Sequence, residues 1–282
     1  MLTDRDLKNE NIVAGIKRVY QDNYGDDNTV TVEIVLKDMI DLFKGKKKGF
    51  QKCDVKYHGI FHTLHTLPPY VEIIDGWNKS GNSPKISKDF FDLGIIAVLL
   101  HDTGYIKAEN DNIGTGAKYT FSHIQRSIDF ADHYLRQAGF DQCHILRIEN
   151  AIRCTGVGFS PESINFSSEE ERIIGYTLGT ADLLGQMSSP DYPGKLPLLF
   201  NEFEEAYRFE GMGKLLGMGI KIFKNADELI KDTQYFYEKV AMKRFLGMGS
   251  MYKYLTYHFG TSNNPYIDAI NENINKIQTL FR

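Results

Sequence analysis

Three segments of this 282-residue chain carry histidine or aspartate within otherwise apolar sequence. They read YHGIFHTLH over residues 57–65, LLHDTG over residues 99–104 and GTADLL over residues 179–184. Imidazole nitrogens and carboxylate oxygens are ligands for transition-metal ions. A buried carboxylate without a partner is costly, and a shared metal ion would remove that cost. The three segments together therefore predict a metal site.

The first segment holds three histidines at helical spacing. His58 and His62 are four residues apart and share one helix face, and His65 follows His62 by three residues. Two histidines one turn apart either serve one metal, or one binds the metal while the other contacts the substrate. His65 is open between a substrate contact and support of the site.

The second and third segments deliver acids from apolar helices. An apolar run from residue 93 to residue 100 leads directly into His101 and Asp102, and Gly104 then lets the backbone turn near the site. Asp182 interrupts another apolar stretch. Singly, a buried histidine is more often hydrogen-bonded core and a mid-helix aspartate usually faces water. Three such features in one chain favour metal binding over those ordinary explanations.

Long segments of 3.6-residue periodicity and few hairpin signals predict an all-α fold. The opening of segment 29–43 alternates like a strand, but its later spacing favours a helix. Acidic residues after Ser167-Ser168 mark a helix start. The helices are expected at about 6–20, 29–43, 56–76, 88–103 (with Ser87 as N-cap), 121–138, 142–155 and 168–186, with three or four more helices over 198–282.

Prolines are expected to break this pattern at two places. Pro68-Pro69 should interrupt the helix over residues 56–76, because proline lacks the N–H that a helix interior needs. Pro190, Pro193 and Pro197 predict a loop before the C-terminal helices.

Composition indicates an ordinary globular protein. Apolar residues make up 42% and charged residues 25%, with a net charge of −4, so neither a nucleic-acid polymer nor an anionic membrane is an expected partner. Three cysteines are too few for a disulfide framework, and the first residues lack the apolar stretch of a signal peptide. We therefore expect a cytoplasmic protein. Aromatic-rich C-terminal helices either roof the pocket or pack a homodimer.

The order of the three segments resembles the HD superfamily of metal-dependent phosphohydrolases. YHGIFHTLHT is similar to the YHNxxHxxxV segment of class I cyclic-nucleotide phosphodiesterases, LLHDTGY resembles the HD signature, and TADLLGQM resembles the segment carrying the last aspartate. The resemblance covers about residues 57–187. It implies one domain over residues 1–282: an HD-domain helical bundle of about residues 50–190, with additional N-terminal helices and a C-terminal helical extension of about residues 195–282.

Residue by residue, the resemblance implies that His62, His101, Asp102 and Asp182 bind the metal. Asp102 would also be the carboxylate able to bridge to a second metal. His58 matches the histidine that protonates the leaving oxygen in phosphodiesterases. The implied cofactor is a divalent ion (Mn, Fe, Zn, Co, Ni or Mg) at one expected site, with a second site as an alternative.

Further residues match the family less closely. His123 stands where many HD proteins place a second-metal or phosphate ligand, and we favour that role over a surface histidine. Cys154 stands near where some two-metal members have a histidine, which argues against a fully ligated second metal. Gln234 and Tyr237 could match the glutamine and aromatic residue that grip the base in phosphodiesterases, although an ordinary aromatic core stripe is the favoured interpretation.

The implied activity is hydrolysis of a phosphate ester, by a phosphodiesterase or a phosphatase. In it a metal-bound hydroxide attacks phosphorus and His58 protonates the leaving group. The expected partner is a small-molecule phosphate ester, with a nucleotide as default by analogy. Two alternatives remain: a regulatory module that binds a nucleotide without turnover, and an HD-fold di-iron oxygenase.

Overall fold

The computed structural model describes residues 9–26, 28–158 and 160–280, and these are predominantly helical. Within them, extended pairing is limited to one antiparallel bridge between Phe50 and Ala108. The all-α prediction is confirmed. In chain order the α-helices are α1 (Asn9–Tyr24), α2 (Val30–Phe43), α3 (Ile60–Lys79), α4 (Lys88–Leu100), α5 (His123–Gln137), α6 (Gln142–Arg153), α7 (Glu169–Ser188), α8 (Tyr192–Glu210), α9 (Met212–Gly217), α10 (Ala226–Tyr235), α11 (Met242–Gly247), α12 (Leu255–Phe259) and α13 (Pro265–Thr279).

Two helices of 20 residues each, α3 and α7, pack along one another in the interior. Both are buried around most of their circumference, so their sequences are apolar on more than one face. Glycine permits the close approach, because a Cβ on Gly185 of α7 would lie 2.5 Å from the carbonyl oxygen of His65. The N-terminus of α7 is as predicted: the Ser168 hydroxyl accepts the N–H of Glu171, and glutamates fill the first turn.

The expected interruption at Pro68-Pro69 is wrong, because both prolines lie inside the continuous helix α3. A proline in a helix leaves the carbonyl four residues earlier without its usual N–H partner. For Pro69 this carbonyl belongs to His65, and it lies against Gly185 of α7. We attribute the continuity of α3 to the helices packed around it, which offset the lost hydrogen bonds.

The loop expected from the later prolines is also largely helix. Pro193 occupies the first turn of α8, where its missing N–H has no helical acceptor in any case, and Pro197 lies one turn further inside. Helix α8 therefore begins earlier than predicted. The earlier start of α8 affects the candidate metal centre, because α8 carries a residue that contacts it.

A large connected cluster of buried apolar side chains extends from Ile12 of α1 to Ile277 of α13, and a second, small cluster holds Val55, Tyr105 and Ala117. Helix α4 contributes its whole C-terminal half and ends at Leu100. Ser87 occupies its N-cap position as predicted, but the Ser87 side chain makes no capping hydrogen bond. Each fully buried aliphatic side chain contributes roughly 1.5–3 kcal/mol. The division into an HD core and a C-terminal extension stays a prediction.

Every helix in the described part of the chain is too short or too polar to cross a lipid bilayer.

Gly76 of α3 should be intolerant of any side chain. A Cβ there would lie 1.9 Å from the backbone oxygen of Tyr254, so backbone would have to move. We expect Gly76→Ala to lower the free energy of unfolding by about 3 kcal/mol, as overpacking of a core does. Gly15→Ala is the matched control, because the new Cβ would meet nothing within 4 Å. This substitution should raise the free energy of unfolding by about 0.5–1 kcal/mol, since alanine favours a helix more than glycine does. Urea denaturation measures both, and equal stability of the Gly76 variant and wild type would contradict this packing.

Candidate metal centre

His62, His101 and Asp102 meet in the interior of the protein. His62 lies in the first turn of α3, His101 caps the C-terminus of α4, and Asp102 follows it. Their ligand atoms lie within 4.8 Å of one another, and all three residues are buried. This group could hold a metal ion, because its nitrogen and oxygen donors converge from separate helices on one point.

Asp182 of α7 faces the same point. Its Oδ1 atom is 3.0 Å from Nε2 of His62 and 3.8 Å from Nε2 of His101. The Asp102 carboxylate lies nearby as well, with its Oδ2 atom 3.4 Å from Nε2 of His62 and 3.4 Å from Nε2 of His101. The two carboxylates therefore face the same pair of imidazole nitrogens, and all four residues assigned as ligands lie together.

Three polar atoms at this point are buried without an aligned hydrogen-bond partner among the described residues: His101 Nε2, Asp102 Oδ2 and Asp182 Oδ1. Each such atom costs about 1–3 kcal/mol, so three at one place require an explanation. A divalent cation would accept a lone pair from each of these three atoms. The residues present therefore fit a metal ion, and the mixed nitrogen and oxygen donors suit Mn, Fe, Co, Ni or Zn.

Backbone carbonyls orient two of the histidines. Nδ1 of His101 lies 2.7 Å from the carbonyl oxygen of Val98, and Nδ1 of His123 lies 2.7 Å from that of Thr120. A carbonyl only accepts, so Nδ1 carries the hydrogen and, in the neutral ring, Nε2 keeps a lone pair. Metal-binding histidines are commonly oriented in this way.

The charges of these groups suit a cation. Burial by itself would raise the pKa of Asp102, but the surrounding histidines, His101 and His62 foremost, hold it at about 2. For Asp182 the same two histidines likewise outweigh burial and lower the pKa. Burial lowers the pKa of His123 to about 4, so its ring is neutral at pH 7. The centre thus offers two ionised carboxylates and an uncharged imidazole beside them.

The second oxygen of Asp102 faces away from the first group. Oδ1 lies 3.9 Å from Nε2 of His123, whose side chain retains 20% of its exposure. Asp102 therefore presents one oxygen to His62 and His101 and the other to His123, as a bridging carboxylate would. The role of His123 toward a second metal or a phosphate stays a prediction.

The turn after Asp102 is fixed to the start of α5. A Cβ on Gly104 would lie 2.0 Å from the carbonyl oxygen of His123. Arg126 holds the same turn, because its Nε and Nη2 atoms donate to the carbonyl oxygens of Gly104 and Ile106 at 2.7 and 2.9 Å. Glycine at position 104 is thus required by the contact with α5.

Glu202 of α8 is a site residue that the sequence reading did not reveal. Its Oε2 atom lies 2.6 Å from Nδ1 of His58, and its Oε1 atom accepts the backbone N–H groups of Lys56 and Tyr57 at 2.9 and 2.6 Å. Only 4% of Glu202 is exposed. The carboxylate therefore fixes both the His58 ring and the backbone that precedes it.

One sequence signal could have indicated this glutamate. Glu202 stands four residues after Leu198 and four before Ala206, on the apolar side of α8, whereas its neighbour Glu204 is paired at the surface with Arg208. A carboxylate in an apolar stripe is as unusual here as it is at Asp182. The intervening prolines obscured the helix on which that spacing is visible.

His58 lies beside the ligand group and has a raised pKa. Burial lowers its pKa, but the charge and hydrogen bond of Glu202 outweigh burial and the net pKa is raised. Its ring centroid lies 5.2 Å from that of His62, and its side chain keeps 14% of its exposure. His58 is therefore next to the ligand group and closer to solvent than the ligands.

Tyr105 packs against both of the more exposed histidines. Its ring centroid lies 4.6 Å from that of His58 at an interplanar angle of 7°, and 4.7 Å from that of His123 at 23°. The tyrosine is 1% exposed, and its hydroxyl has the Thr120 side chain as a polar neighbour but makes no well-aligned hydrogen bond among the described residues. The ring rather than the hydroxyl is thus the part that orients the two imidazoles.

We accordingly expect opposite results from two substitutions of Tyr105. Tyr105→Phe keeps the ring and removes only a buried hydroxyl that makes no well-aligned hydrogen bond, so its free energy of unfolding should lie within about 1 kcal/mol of wild type. Tyr105→Leu should lose about 1–3 kcal/mol and release both imidazoles. Thermal unfolding together with ¹⁵N NMR of the histidine rings tests this. Unchanged His58 and His123 resonances in the leucine variant would contradict the orienting role.

The remaining sequence-predicted residues lie in other surroundings. Gln234 is exposed on α10, where its amide bonds Glu238 and Gln278 at 2.8 and 2.6 Å. Tyr237 is 8% exposed and belongs to the apolar core, which agrees with the favoured interpretation. His65 lines a separate cavity beside α1 and α13. Their roles in substrate binding stay predictions.

Comparison with protein-family models and with curated protein sequences gives no match to this chain. The resemblance to HD phosphohydrolases therefore depends on the quoted motifs, and the geometry above is independent of it.

Proposed function

We propose that this chain is a metal-dependent phosphohydrolase that cleaves a phosphate ester, with a nucleotide as the default substrate. The proposal depends on the juxtaposition of a four-residue ligand group with His58, whose ring is hydrogen-bonded to Glu202 and whose pKa is raised by it. A ligand group alone supports metal binding. A positioned proton donor beside it supports catalysis.

The metal would be held by His62, His101, Asp102 and Asp182. When bound, a divalent ion lowers the pKa of a water molecule and polarises a phosphoryl oxygen. The protein's contribution is a rigid, buried ligand group on α3, α4 and α7, whose carboxylates are already ionised.

His58 supplies the proton for the leaving oxygen. Its Nδ1–H donates to Glu202, so in the imidazolium form the Nε2–H is the proton available for transfer. The negative charge of Glu202 favours that form at neutral pH. Proton transfer from a positioned side chain typically contributes 10²–10⁴-fold to a rate.

Differences in exposure indicate how a phosphate would approach. His101 and Asp102 retain 1% and 2% of their exposure, whereas the side chains of His58 and His123 retain 14% and 20%. The substrate would therefore reach the centre from the side of His58 and His123. On that side Asp102 Oδ1 and His123 Nε2 both present lone pairs, so a cation bound between them would be needed to attract a phosphate.

The alternatives have less support. A module that only binds a nucleotide has no need of a proton donor, and the Glu202–His58 pair would be without purpose in it. A di-iron oxygenase needs more ligands for a second iron. Cys154 is not one of them, because it is buried, its pKa is raised to about 12 by burial, and its thiol contacts the carbonyl oxygen of Asn150.

A metal and substrate screen tests the proposal. Protein stripped by chelation is reloaded singly with Mn, Fe(II), Co, Ni, Zn or Mg. It is then assayed on p-nitrophenyl phosphate, bis(p-nitrophenyl) phosphate, cyclic nucleotides and nucleoside mono- and triphosphates. We expect turnover of at least one ester class, absent from Asp102→Ala. Metal-loaded protein that cleaves none of these would overturn the proposal, with tight nucleotide binding favouring the regulatory alternative and oxygen uptake by ferrous protein the oxygenase.

A further inference from the structure

Gln186 is a polar residue in an otherwise buried part of α7. Between residues 173 and 188 every position of this helix is buried except Gln186, which keeps part of its exposure. It lies one turn after Asp182, on the same face of the helix. Its neighbour Gly185 lines the separate cavity beside α1 and α13, whereas Gln186 does not. Helix α7 is therefore accessible at Gln186, next to the ligand group.

The side chain of Gln186 is held by Tyr57. The Tyr57 hydroxyl donates to Oε1 of Gln186 at 2.9 Å. Tyr57 is only 6% exposed, and its ring centroid lies 4.9 Å from that of His58 and 6.0 Å from that of His62. The ring that holds Gln186 thus lies beside both the proton donor and a metal ligand. The position of the carboxamide is consequently fixed relative to the metal centre.

The amide nitrogen of Gln186 has hydrogen atoms to spare. Nε2 lies 3.4 Å from the carbonyl oxygen of Asp182, and because a carbonyl only accepts, the nitrogen rather than the oxygen must face it. That distance exceeds the usual 2.7–3.2 Å of such a bond. Nε2 makes no other hydrogen bond among the described residues. One N–H is therefore oriented beside the metal centre and has no protein acceptor.

We propose that Gln186 is a specificity-determining residue, whose free N–H donates to an oxygen in the organic group of the substrate. This inference rests on the proposed function, because it takes the phosphoryl group to lie at the metal ligands. Four residues of helix span about 6 Å, so the amide lies beyond the phosphoryl group and faces the esterified alcohol. The substrate class is then the phosphate of an oxygen-rich alcohol, such as a sugar, rather than that of a plain alkyl alcohol.

Two phosphonates of equal size test this preference without turnover, because their C–P bond resists hydrolysis. The compounds are (tetrahydrofuran-2-yl)methylphosphonate and cyclopentylmethylphosphonate, which differ in one ring oxygen. Calorimetric titration of the zinc-loaded full chain should show the ring-oxygen compound binding about 3–10-fold more tightly, the value of one neutral hydrogen bond. Methylphosphonate, which has no ring, measures binding by the metal centre alone.

The variant Gln186→Met keeps the length of the side chain and removes the N–H. It should bind the two ring compounds equally, with the affinity for methylphosphonate unchanged. Tyr57→Phe removes the hydroxyl that fixes the amide and should reduce the preference as well. Gln137→Met is the matched control, because Gln137 is exposed at the end of α5 and contacts His133; it should keep the wild-type preference.

NMR of protein labelled with ¹⁵N-glutamine gives a second readout. The carboxamide resonance of Gln186, assigned by its loss in Gln186→Met, should shift more with the ring-oxygen compound than with the cyclopentyl compound. Circular dichroism establishes that each variant is folded. Equal affinity of wild type for both ring compounds, an undiminished preference in Gln186→Met, or no binding of any phosphonate would each overturn the inference.

The two proposals fail in different ways. Turnover of a phosphate ester by a protein that binds both ring compounds equally would overturn the role of Gln186 and leave the phosphohydrolase proposal intact. Conversely, a preference that depends on Gln186 in a protein that hydrolyses no ester would support the role of Gln186 in binding and overturn the proposed hydrolysis.

Discussion

Asp102→Ala is expected to lower the affinity for divalent metal by at least ~10³-fold and to remove metal-dependent turnover. Even outer residues that support a metal ligand change affinity by about 10–100-fold, and Asp102 itself faces the metal position. One of its oxygens is 3.4 Å from both His62 Nε2 and His101 Nε2, and the other faces His123. Removing it leaves the two histidines with one carboxylate where two had been.

Elemental analysis after dialysis against limiting metal measures this loss. Thermal unfolding is a second measurement. A metal that binds only the folded state adds about 2.7 kcal/mol to the free energy of unfolding when its concentration is 100 times Kd. Manganese should therefore raise the melting temperature of wild type and leave that of the variant unchanged. Asp102→Asn keeps the side-chain volume and guards against a misfolded alanine variant. Asp132→Ala is the matched control, since Asp132 is a surface residue paired with Arg136. Full metal content in both Asp102 variants would contradict the centre.

Glu202→Gln is expected to lower kcat by roughly 10²-fold while metal content stays at the wild-type level. Glutamine keeps an oxygen for the backbone N–H groups of residues 56 and 57 but loses the negative charge that raises the pKa of His58. The imidazolium form of His58 then becomes scarcer at neutral pH. Because a general acid must be protonated to act, the alkaline limb of the pH–rate profile should move to lower pH.

Three comparisons make this test specific. Glu204→Gln alters a surface glutamate on the same helix and should behave as wild type. His58→Ala should lose at least as much activity as Glu202→Gln. The double variant should lose little more than His58→Ala, because the two residues act as one unit. Additive losses in the double variant, or an unchanged pH profile in Glu202→Gln, would separate Glu202 from proton donation.

The fold class and the residues that could bind a metal were predictable because both leave local signals. Helical periodicity is a property of each segment by itself, and the boundaries predicted up to residue 186 lie within about four residues of the observed ones. The prediction of three or four helices after residue 198 is wrong, because the described residues there form six α-helices, α8 to α13, and several of them are too short to show a clear period. An acid at the end of an apolar run, as at Asp102, is equally local. It signals a buried charge whatever the rest of the chain does, because burial of an unpaired charge is so unfavourable.

Other features exist only in the packed molecule. Helix α3 is continuous through Pro68-Pro69 because its neighbours hold it, and no neighbour is visible in a single segment. His62 and His65 are three residues apart on one helix, yet one faces the ligand group and the other a separate cavity. Spacing predicts that two side chains lie near each other, but the helices packed on each side decide what each one meets.

Local sequence patterns predict an all-α chain with three segments that could each contribute to a metal site. Only in the packed molecule do these segments converge, and only there does Glu202 meet His58 across 144 positions. Helix periodicity and the cost of a buried charge act within one segment, which is why both leave a mark on the sequence. The partner of a charge, by contrast, is set by which helices pack together, and that is a property of the whole chain.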